Sequence, residues 1–209
     1  MKTRSQAIVI ACAALWLLAI GFGLWMLWNY QNSAGAAGVP PSRWPVNSRV
    51  EQVTGKPTLV MMVHPHCPCS RASIGELALM MARCQGRMSA YVLFFKPEGF
   101  PDGWERTDLW DSAASIPGVK AISDYGGIEA RDFNAMTSGA TMLYDAEGRL
   151  LFSGGITDSR GHSGDNDGRS AIVSLLMNEE ARLTETHVFG CSLVDQSHAC
   201  SNRERPWSK

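Results

Sequence analysis

The segment from Thr58 to Ala72, TLVMMVHPHCPCSRA, decides which fold is predicted for this chain. Its first six residues are an uninterrupted apolar run, which is typical of a strand buried on both faces. Beyond the cysteines, apolar side chains recur at helical spacing, at Ile74, Leu77, Ala78 and Met81. Cys67 and Cys69 therefore lie between the carboxyl end of a predicted strand and the start of a predicted helix.

Two thiols at the start of a helix predict a redox site. Free backbone N–H groups and the positive end of the helix dipole favour thiolate over thiol. Such sites bring a cysteine pKa from about 8.5 to between roughly 3.5 and 7.5. Arg71 is expected to act in the same direction. We predict Cys67 and Cys69 as the catalytic pair, and their predicted neighbours are His64, His66, Pro68, Ser70 and Arg71.

The rest of the chain alternates between strand and helix patterns. Further strands are predicted at residues 90–95, 119–123, 141–144 and 150–153, and helices within residues 107–115 and from 169 to 183. Asp145-Ala146-Glu147-Gly148 is a hairpin signal, and Asn166 or Asp167 is available to cap the last helix. This order predicts an α/β fold, a mixed sheet flanked by helices.

The chain is most apolar near its amino terminus. From Ala7 to Trp28 there is no charge and no proline, and a helix of this length rises roughly 33 Å, enough to cross a hydrocarbon core of about 30 Å. Lys2 and Arg4 precede it, so the positive-inside rule predicts a cytoplasmic amino terminus. The domain is then expected on the periplasmic side of the cytoplasmic (inner) membrane. A cleaved signal peptide is the alternative, because residues 33–36 offer small side chains to a peptidase.

Four regions are predicted from composition. Residues 1–30 form a single transmembrane anchor, and residues 31–48, rich in Gly, Ala, Ser and Pro, form a flexible linker. Residues 49–190 form the domain, and residues 191–209 form a polar carboxyl-terminal tail.

Five of the six cysteines lie beyond the apolar segment, where an exported chain meets an oxidising compartment. An odd number leaves at least one thiol unpaired or shared in exchange, which suits a working redox site. For Cys191 two interpretations stay open: a structural disulfide with Cys200, or a third thiol that folds back to the site. Cys84 is expected to be a buried packing residue.

The two close cysteines, the helix after them and a later hairpin resemble the thioredoxin superfamily over roughly residues 50 to 185. Four motifs are similar to those of a bacterial branch of membrane-anchored proteins called RedB-like. They are HPHCPCSRAS (64–73), SGATMLYDAEGRLLFSGGIT (138–157), GHSGDN (161–166) and VFGC (188–191). The resemblance implies a thioredoxin-like fold in which Cys67 is the exposed, attacking thiol and Cys69 the resolving thiol.

The sequence departs from the superfamily pattern at two places. One residue instead of two separates the thiols, and Ser70 stands where the second cysteine is expected. The smaller disulfide ring favours an oxidant or isomerase, because strained bridges are readily reduced. Ala140-Thr141 replaces the cis-proline and threonine that face the site. A trans peptide is expected there, because a cis bond without proline costs about 2.5–4 kcal/mol.

The same residues allow a second interpretation, metal binding. His64, His66, Cys67 and Cys69 offer ligands suited to copper or zinc, and Cys191 or His187 is available as a further ligand. Sco-type copper chaperones bind metal on the same fold, which is an analogy at the level of the fold. A third interpretation, an inert cysteine pair in an extracellular binding module, is disfavoured by the position at a helix start.

We therefore predict a membrane-anchored, extracytoplasmic thiol–disulfide oxidoreductase with a Cys-Pro-Cys redox pair and no organic cofactor. Its expected partners are exported proteins that carry thiols or disulfides, and the membrane through the amino-terminal helix. Nucleic acid is not an expected partner, because 19 basic and 20 acidic side chains leave no positive field to attract phosphates.

Overall fold

The computed structural model describes residues 2–177 and 179–193. The strands are β1 (Thr58–Val63), β2 (Ser89–Lys96), β3 (Val119–Tyr125), β4 (Thr141–Tyr144) and β5 (Leu150–Gly154). The helices are α1 (Lys2–Gln31), α2 (Ser70–Arg83), α3 (Asp108–Ala114), α4 (Ile128–Asp132) and α5 (Asp167–Leu176). The strands form one sheet in the order β3-β2-β1-β4-β5. Strands β1, β2 and β3 are parallel to one another, β4 pairs antiparallel with β1, and β5 pairs antiparallel with β4.

The central strand, β1, is buried on both faces of the sheet. Because side chains alternate along a strand, Leu59 and Met61 pack on one face with residues of α2, α3 and α5. Val60 and Met62 pack on the other face with residues of α4 and with Phe133. This arrangement confirms the predicted mixed sheet flanked by helices, and it puts the carboxyl end of β1 and the start of α2 at one edge.

The elements follow the sequence prediction closely, with one omission and one error. The omission is α4, whose five residues are too few to show a helical period. The error concerns α5, which ends at Leu176 and not at residue 183. The chain turns immediately after α5, where the backbone N–H of Glu179 donates to the carbonyl of Ser174 at 2.9 Å. Leu183, expected on the apolar face of that helix, therefore lies beyond it and is 44% exposed.

The amino-terminal helix is longer than the apolar stretch that predicts it. Within α1, residues 6–31 form a helical segment of 26 residues with a mean hydropathy of 2.5 in its most apolar window, none of which is buried against the domain. A helix of this length and composition is sufficient for a membrane anchor and equally for a signal sequence.

The predicted flexible linker is not free of the domain, which corrects the expectation for residues 31–48. The backbone N–H of Gly35 donates to the carbonyl of Val188 at 2.8 Å, and that of Trp44 donates to Gly148 at 2.8 Å. The Trp44 ring packs edge-on against Tyr144, with ring centroids 5.2 Å apart. The segment lies along the domain because its backbone groups and the Trp44 ring find partners there.

The predicted domain boundary at residue 190 is also too early. Leu193 is 1% exposed and belongs to the core on the α4 face of the sheet. Its backbone N–H donates to the carbonyl of Met136 at 2.9 Å. The residues from Cys191 to Leu193 are therefore part of the domain. Cys200, the proposed disulfide partner of Cys191, lies outside the described residues.

Candidate redox site

Cys67 and Cys69 lie in the turn that joins β1 to α2. The backbone N–H of Cys67 donates to the carbonyl of His64 at 3.0 Å, and the carbonyl of Cys67 accepts from Ser70 at 3.1 Å. Cys69 occupies the capping position before the first residue of α2. Both thiols therefore stand at the amino end of the helix, which is the position that the sequence predicts.

A third thiol lies beside this pair. The Sγ atom of Cys191 is 3.0 Å from that of Cys67, although 124 residues separate the two in sequence. The sulfurs of Cys67, Cys69 and Cys191 all lie within 4.8 Å of one another. The five cysteines in the described part of the chain, which include Cys12 and Cys84, carry free thiols.

The segment that carries Cys191 is held against the residues before β4. The backbone N–H of Ser138 donates to the carbonyl of Cys191 at 2.8 Å. Gly190 packs so closely here that a Cβ atom on it would lie 2.0 Å from the carbonyl oxygen of Ser138. Only glycine fits at this position, and the close approach brings the Cys191 side chain to the site.

Cys67 is the thiol whose surroundings favour the charged form. Burial by itself raises the pKa of the Cys67 thiol, which is 1% exposed. Hydrogen bonds from the thiol and backbone of Cys191 and from the hydroxyl and backbone of Ser70 outweigh burial, so the pKa lies below its ordinary value. The expectation that Cys67 is exposed is not met, since Cys191 lies against its sulfur.

The other two thiols are held in the protonated form. Burial, followed by the negative charge at Cys67, raises the pKa of the Cys69 thiol, and the nearby Arg160 guanidinium offsets only part of this effect. Burial and the hydrogen bond to Cys67 raise the pKa of Cys191 to about 12. Of the three thiols, Cys67 is therefore the one that loses its proton most readily.

A chain of hydroxyl groups orients the donors around Cys67. The Ser138 hydroxyl accepts a hydrogen bond from the backbone N–H of His64 at 2.7 Å. It also lies 2.7 Å from the hydroxyl of Ser70. If Ser138 donates to Ser70, the Ser70 hydrogen is free to point at the Cys67 sulfur, which is the direction that lowers its pKa. Ser138 thus connects the thiolate to the residues that precede β4.

Arg160 ties together three parts of the chain at the site. Its guanidinium donates to the carbonyl of Gly190 and, at 3.1 Å, to the carbonyl of Ser33. It also lies 4.9 Å from the ring centroid of Tyr30 at the end of α1. The same group acts on Cys69, so one cation links the apolar helix, the Cys191 segment and the thiols.

The histidines form an aromatic rim and do not join the three sulfurs. His64 and His66 pack on Trp104, with ring centroids 5.8 Å and 4.6 Å away. Burial, and then the neighbouring His66, lowers the pKa of His64. Among the described residues, the group able to share one metal ion is Cys67, Cys69 and Cys191. The predicted metal set of His64, His66, Cys67 and Cys69 is therefore corrected, and His187 likewise lies outside the group.

The remaining predicted neighbours take different positions. Arg71, expected to favour the thiolate, forms an ion pair with Asp108 at the surface. Pro68 is exposed between the two cysteines. Ala140 and Thr141 are buried beside the end of β1, where the backbone N–H of Met62 donates to the carbonyl of Ala140 at 2.8 Å. The described residues contain no cis peptide, so the trans bond expected at Ala140-Thr141 is present.

Sequence reasoning missed two residues of the site, Ser138 and Arg160. Ser138 lies directly before the Gly-Ala-Thr loop that faces the thiols, and that position was the available signal. Arg160 lies in a polar stretch of the sequence, and a single arginine in such a stretch is typical of a solvated loop. No sequence signal therefore marks it as a site residue. Both act through contacts between residues distant in sequence, which a local pattern does not contain.

Comparison with known proteins identifies the fold. No protein-family model matches the sequence, and no curated protein matches it. A hypothetical protein from Sinorhizobium meliloti is similar in structure, with a TM-score of 0.57, 19% identity, and coverage of 78% of this chain and 96% of that one. An uncharacterised protein from Geobacillus kaustophilus has a TM-score of 0.57 and 17% identity, and the match covers 80% of this chain and 95% of that one.

A secreted disulfide oxidoreductase from Mycobacterium tuberculosis is more distant, with a TM-score of 0.43, 14% identity, and coverage of 60% of this chain and 83% of that one. The chain has the predicted thioredoxin-like fold, and its membership of the thioredoxin superfamily stays a prediction. The closer resemblance to RedB-like proteins stays a prediction.

Proposed function

We propose that this protein is a thiol–disulfide oxidoreductase that acts through the cysteines at the start of α2, with Cys67 as the reactive thiolate. The observation that carries the proposal is the set of donors around the Cys67 sulfur, from Cys191 and Ser70, which lowers its pKa. A thiolate is the form that exchanges with disulfides. Cys69, next to it at the capping position of the helix, completes the Cys-Pro-Cys pair.

Stabilisation of the Cys67 thiolate favours a direction of electron flow. The hydrogen bonds to this sulfur act only in the reduced protein, so they make the disulfide easier to reduce. A protein of this kind is an oxidant towards partner thiols. Each turnover moves two electrons from a partner dithiol to the disulfide of this protein.

We further propose that the domain works outside the cytoplasmic membrane, anchored by α1, and that it is related to RedB-like proteins. The length and apolar composition of α1 support an anchor, and Lys2 and Arg4 before it favour a cytoplasmic amino terminus. Partners are then exported proteins with thiols or disulfides. The exposed ring of His66 and the neighbouring Trp104 offer a surface against which such a partner can pack.

The test is an exchange assay on the full chain in detergent with oxidised glutathione as the probe. Cys67→Ser is expected to reduce the rate by about a hundredfold or more, because serine supplies no thiolate at neutral pH. Cys12→Ser, in the apolar helix, is the matched control and is expected to exchange at the wild-type rate. If Cys67→Ser also exchanges at the wild-type rate, the proposed function is wrong.

A second candidate function is copper or zinc binding by the three thiols. Their sulfurs lie within 4.8 Å of one another, and sulfurs that share one zinc ion at about 2.3 Å stand at comparable separations. Three thiolates also suit copper(I). An anaerobic copper(I) titration against a competing chelator tests this function. Binding of one ion per chain that is lost in Cys191→Ser supports a metal site, and no uptake from the chelator rejects it.

A further inference from the structure

Cys67, Cys69 and Cys191 form a cluster of three thiols, whereas a redox disulfide needs only two. We propose that the disulfide that forms and breaks in this protein joins Cys67 to Cys191, and that Cys69 is the third, unbonded thiol. This inference rests on the proposed function, since it names the couple through which the exchange runs. It changes the partner of Cys67 from the neighbouring cysteine to one that is 124 residues away.

The sulfurs of Cys67 and Cys191 are close enough to bond with little movement. The Sγ atoms of Cys67 and Cys191 are 3.0 Å apart in the reduced protein. A disulfide is about 2.05 Å long, so the two sulfurs need to approach by only about 1 Å. A small rotation of either side chain is enough to close that gap.

The backbone on both sides of Cys191 holds it in this place. The carbonyl of Cys191 accepts from the backbone of Ser138 at 2.8 Å, and the backbone of Leu193 donates to Met136 at 2.9 Å. On the other side, Gly190 packs directly against the carbonyl of Ser138. The fold thus presents Cys191 to Cys67 through regular backbone contacts.

The pairing of Cys67 with Cys69 is less favourable. The backbone of Cys69 is already helical, with φ −65° and ψ −29°, and its carbonyl accepts from Ala72 as the first turn forms. The ring closed by a Cys67–Cys69 disulfide contains only Pro68 between the two cysteines, and the fixed φ of proline restricts how that ring can adjust. A Cys67–Cys191 disulfide closes without change to the start of α2.

Burial and charge assign different roles to the two sulfurs. Cys67 is 1% exposed and Cys69 8% exposed, whereas Cys191 is half-buried and is the most accessible of the three. A thiolate from outside therefore reaches the Cys191 sulfur first. Cys67 is the better leaving group, because its surroundings lower its pKa and thiolates of low pKa leave faster.

The exchange then proceeds in two balanced steps. A partner thiolate attacks Sγ of Cys191, an S–S bond forms to the partner, and the bond to Cys67 breaks with the electron pair on Cys67. A second partner thiolate attacks the partner sulfur of the mixed disulfide, and Cys191 leaves and takes up a proton. The partner dithiol is oxidised to a disulfide by two electrons, which reduce the Cys67–Cys191 bond. Reoxidation begins at Cys67, whose thiolate attacks a disulfide of higher potential, forms a mixed disulfide and releases one thiolate. Cys191 then attacks the Cys67 sulfur, loses its proton and releases the second thiolate, which restores the Cys67–Cys191 bond.

The test is a disulfide map of the full chain with Cys200→Ser, oxidised by oxidised glutathione and alkylated. Trypsin leaves Cys67 and Cys69 on residues 50–71 and Cys191 on residues 183–203. The expected product is these two peptides joined by a disulfide. The joined product should persist when Cys69→Ser is added and disappear when Cys191→Ser is added. Wild-type melting temperatures for both variants confirm that they fold.

Two results overturn the inference. One is a disulfide within residues 50–71 while Cys191 is alkylated, and the other is a bond within residues 183–203 when Cys200 is retained. Exchange with glutathione separates this failure from failure of the proposed function. We expect Cys191→Ser to slow exchange by about tenfold or more, and by more than Cys69→Ser does. If Cys69→Ser is the slower variant, the protein is an oxidoreductase with a different couple.

Discussion

The two walls of the redox site are built in different ways. One wall, residues 64–70, is a continuous turn in which a strand end, two cysteines and a helix start follow one another. The other wall, residues 187–193, has no helix or strand of its own and is held in place by Ser138, Met136 and Arg160. The first wall supplies the reactive sulfur, and the second supplies donors to that sulfur and a third thiol.

This difference shows where the low pKa of Cys67 comes from. A helix start offers donors such as the Ser70 backbone to any thiol placed there, but Cys67 is also buried, and burial acts in the opposite direction. The hydrogen bonds from Cys191 stand first among the effects that compensate for burial. The local motif therefore needs the distant wall to become reactive.

The largest expected effect is on the stability of the second wall. Leu193→Ala removes a side chain that is 1% exposed in the core. Such a truncation is expected to lower the free energy of unfolding by about 2–5 kcal/mol. Leu183→Ala, at a site that is 44% exposed, is the matched control and should change it by less than about 0.5 kcal/mol. Urea denaturation of both variants measures this, and equal effects would mean that the segment does not belong to the core.

Gly190→Ala is expected to move Cys191 away from Cys67. The new Cβ would lie 2.0 Å from the carbonyl oxygen of Ser138, so the segment must shift. Cys67 then loses donors and its pKa rises. Its reaction with iodoacetamide at about pH 7 should slow by up to about tenfold for each pH unit by which that pKa increases.

Gly75→Ala serves as the control for this substitution. Gly75 lies within α2, close to the first wall, and a Cβ on it meets no atom within 4 Å. Unchanged Cys67 reactivity in Gly190→Ala, with the fold intact, would contradict the role given to the second wall.

Ser138→Ala tests the chain of hydroxyls between the walls. Without the Ser138 hydroxyl, the Ser70 hydroxyl loses its 2.7 Å partner and is less well oriented towards Cys67. The reactivity of Cys67 rises with pH until its pKa is passed and then levels off. The midpoint of that rise should therefore move to higher pH in the variant. Ultraviolet titration of the thiolate measures the midpoint. Ser112→Ala on the exposed side of α3 is the control, and a midpoint that moves down would reject the proposed donor direction.

The smallest effect is expected for Arg160→Gln. Arg160 lowers the pKa of Cys69 without reversing its overall increase, so its loss should raise that pKa further and leave Cys67 nearly unchanged. Peptide mapping after timed alkylation follows both cysteines. Arg131→Gln, whose guanidinium donates to Gly126 at 2.6 Å, is the control. A large effect on Cys67 would show that the second wall depends on the bond from Arg160 to Gly190 more than on the backbone bonds to Ser138 and Met136.

The first wall was predictable from sequence because everything in it is local. The apolar run of β1, the helical spacing of α2 and the two cysteines between them lie within one short segment, and the structure places them as predicted. Local patterns also predicted the hairpin of β4 and β5 and a helix cap at Asn166 or Asp167, and Asn166 is the residue that caps α5.

The second wall was not predictable in the same way. Whether Cys191 pairs with Cys200 or returns to the site depends on how the chain runs after α5, and the sequence pattern extended that helix too far. The distance of 3.0 Å to Cys67 follows from contacts of Gly190 and Leu193 with residues before β4. The expectation of a flexible linker at residues 31–48 was wrong for the same reason. Amino-acid composition does not show which backbone groups of this segment bond to the domain.

The most direct test of this account is the pH dependence of alkylation at each cysteine of the reduced full chain. Trypsin releases Cys84 on residues 84–87, so this buried thiol is an internal reference, and fragmentation distinguishes Cys67 from Cys69. Burial raises the pKa of Cys84. We predict that the alkylation rate of Cys67 reaches half of its maximum below pH 9.0, the reference pKa of a cysteine thiol. For Cys84 and Cys191 the half-maximal rate is expected above pH 9.0. If Cys67 titrates at or above Cys84, no stabilised thiolate exists at the start of α2 and the account is contradicted.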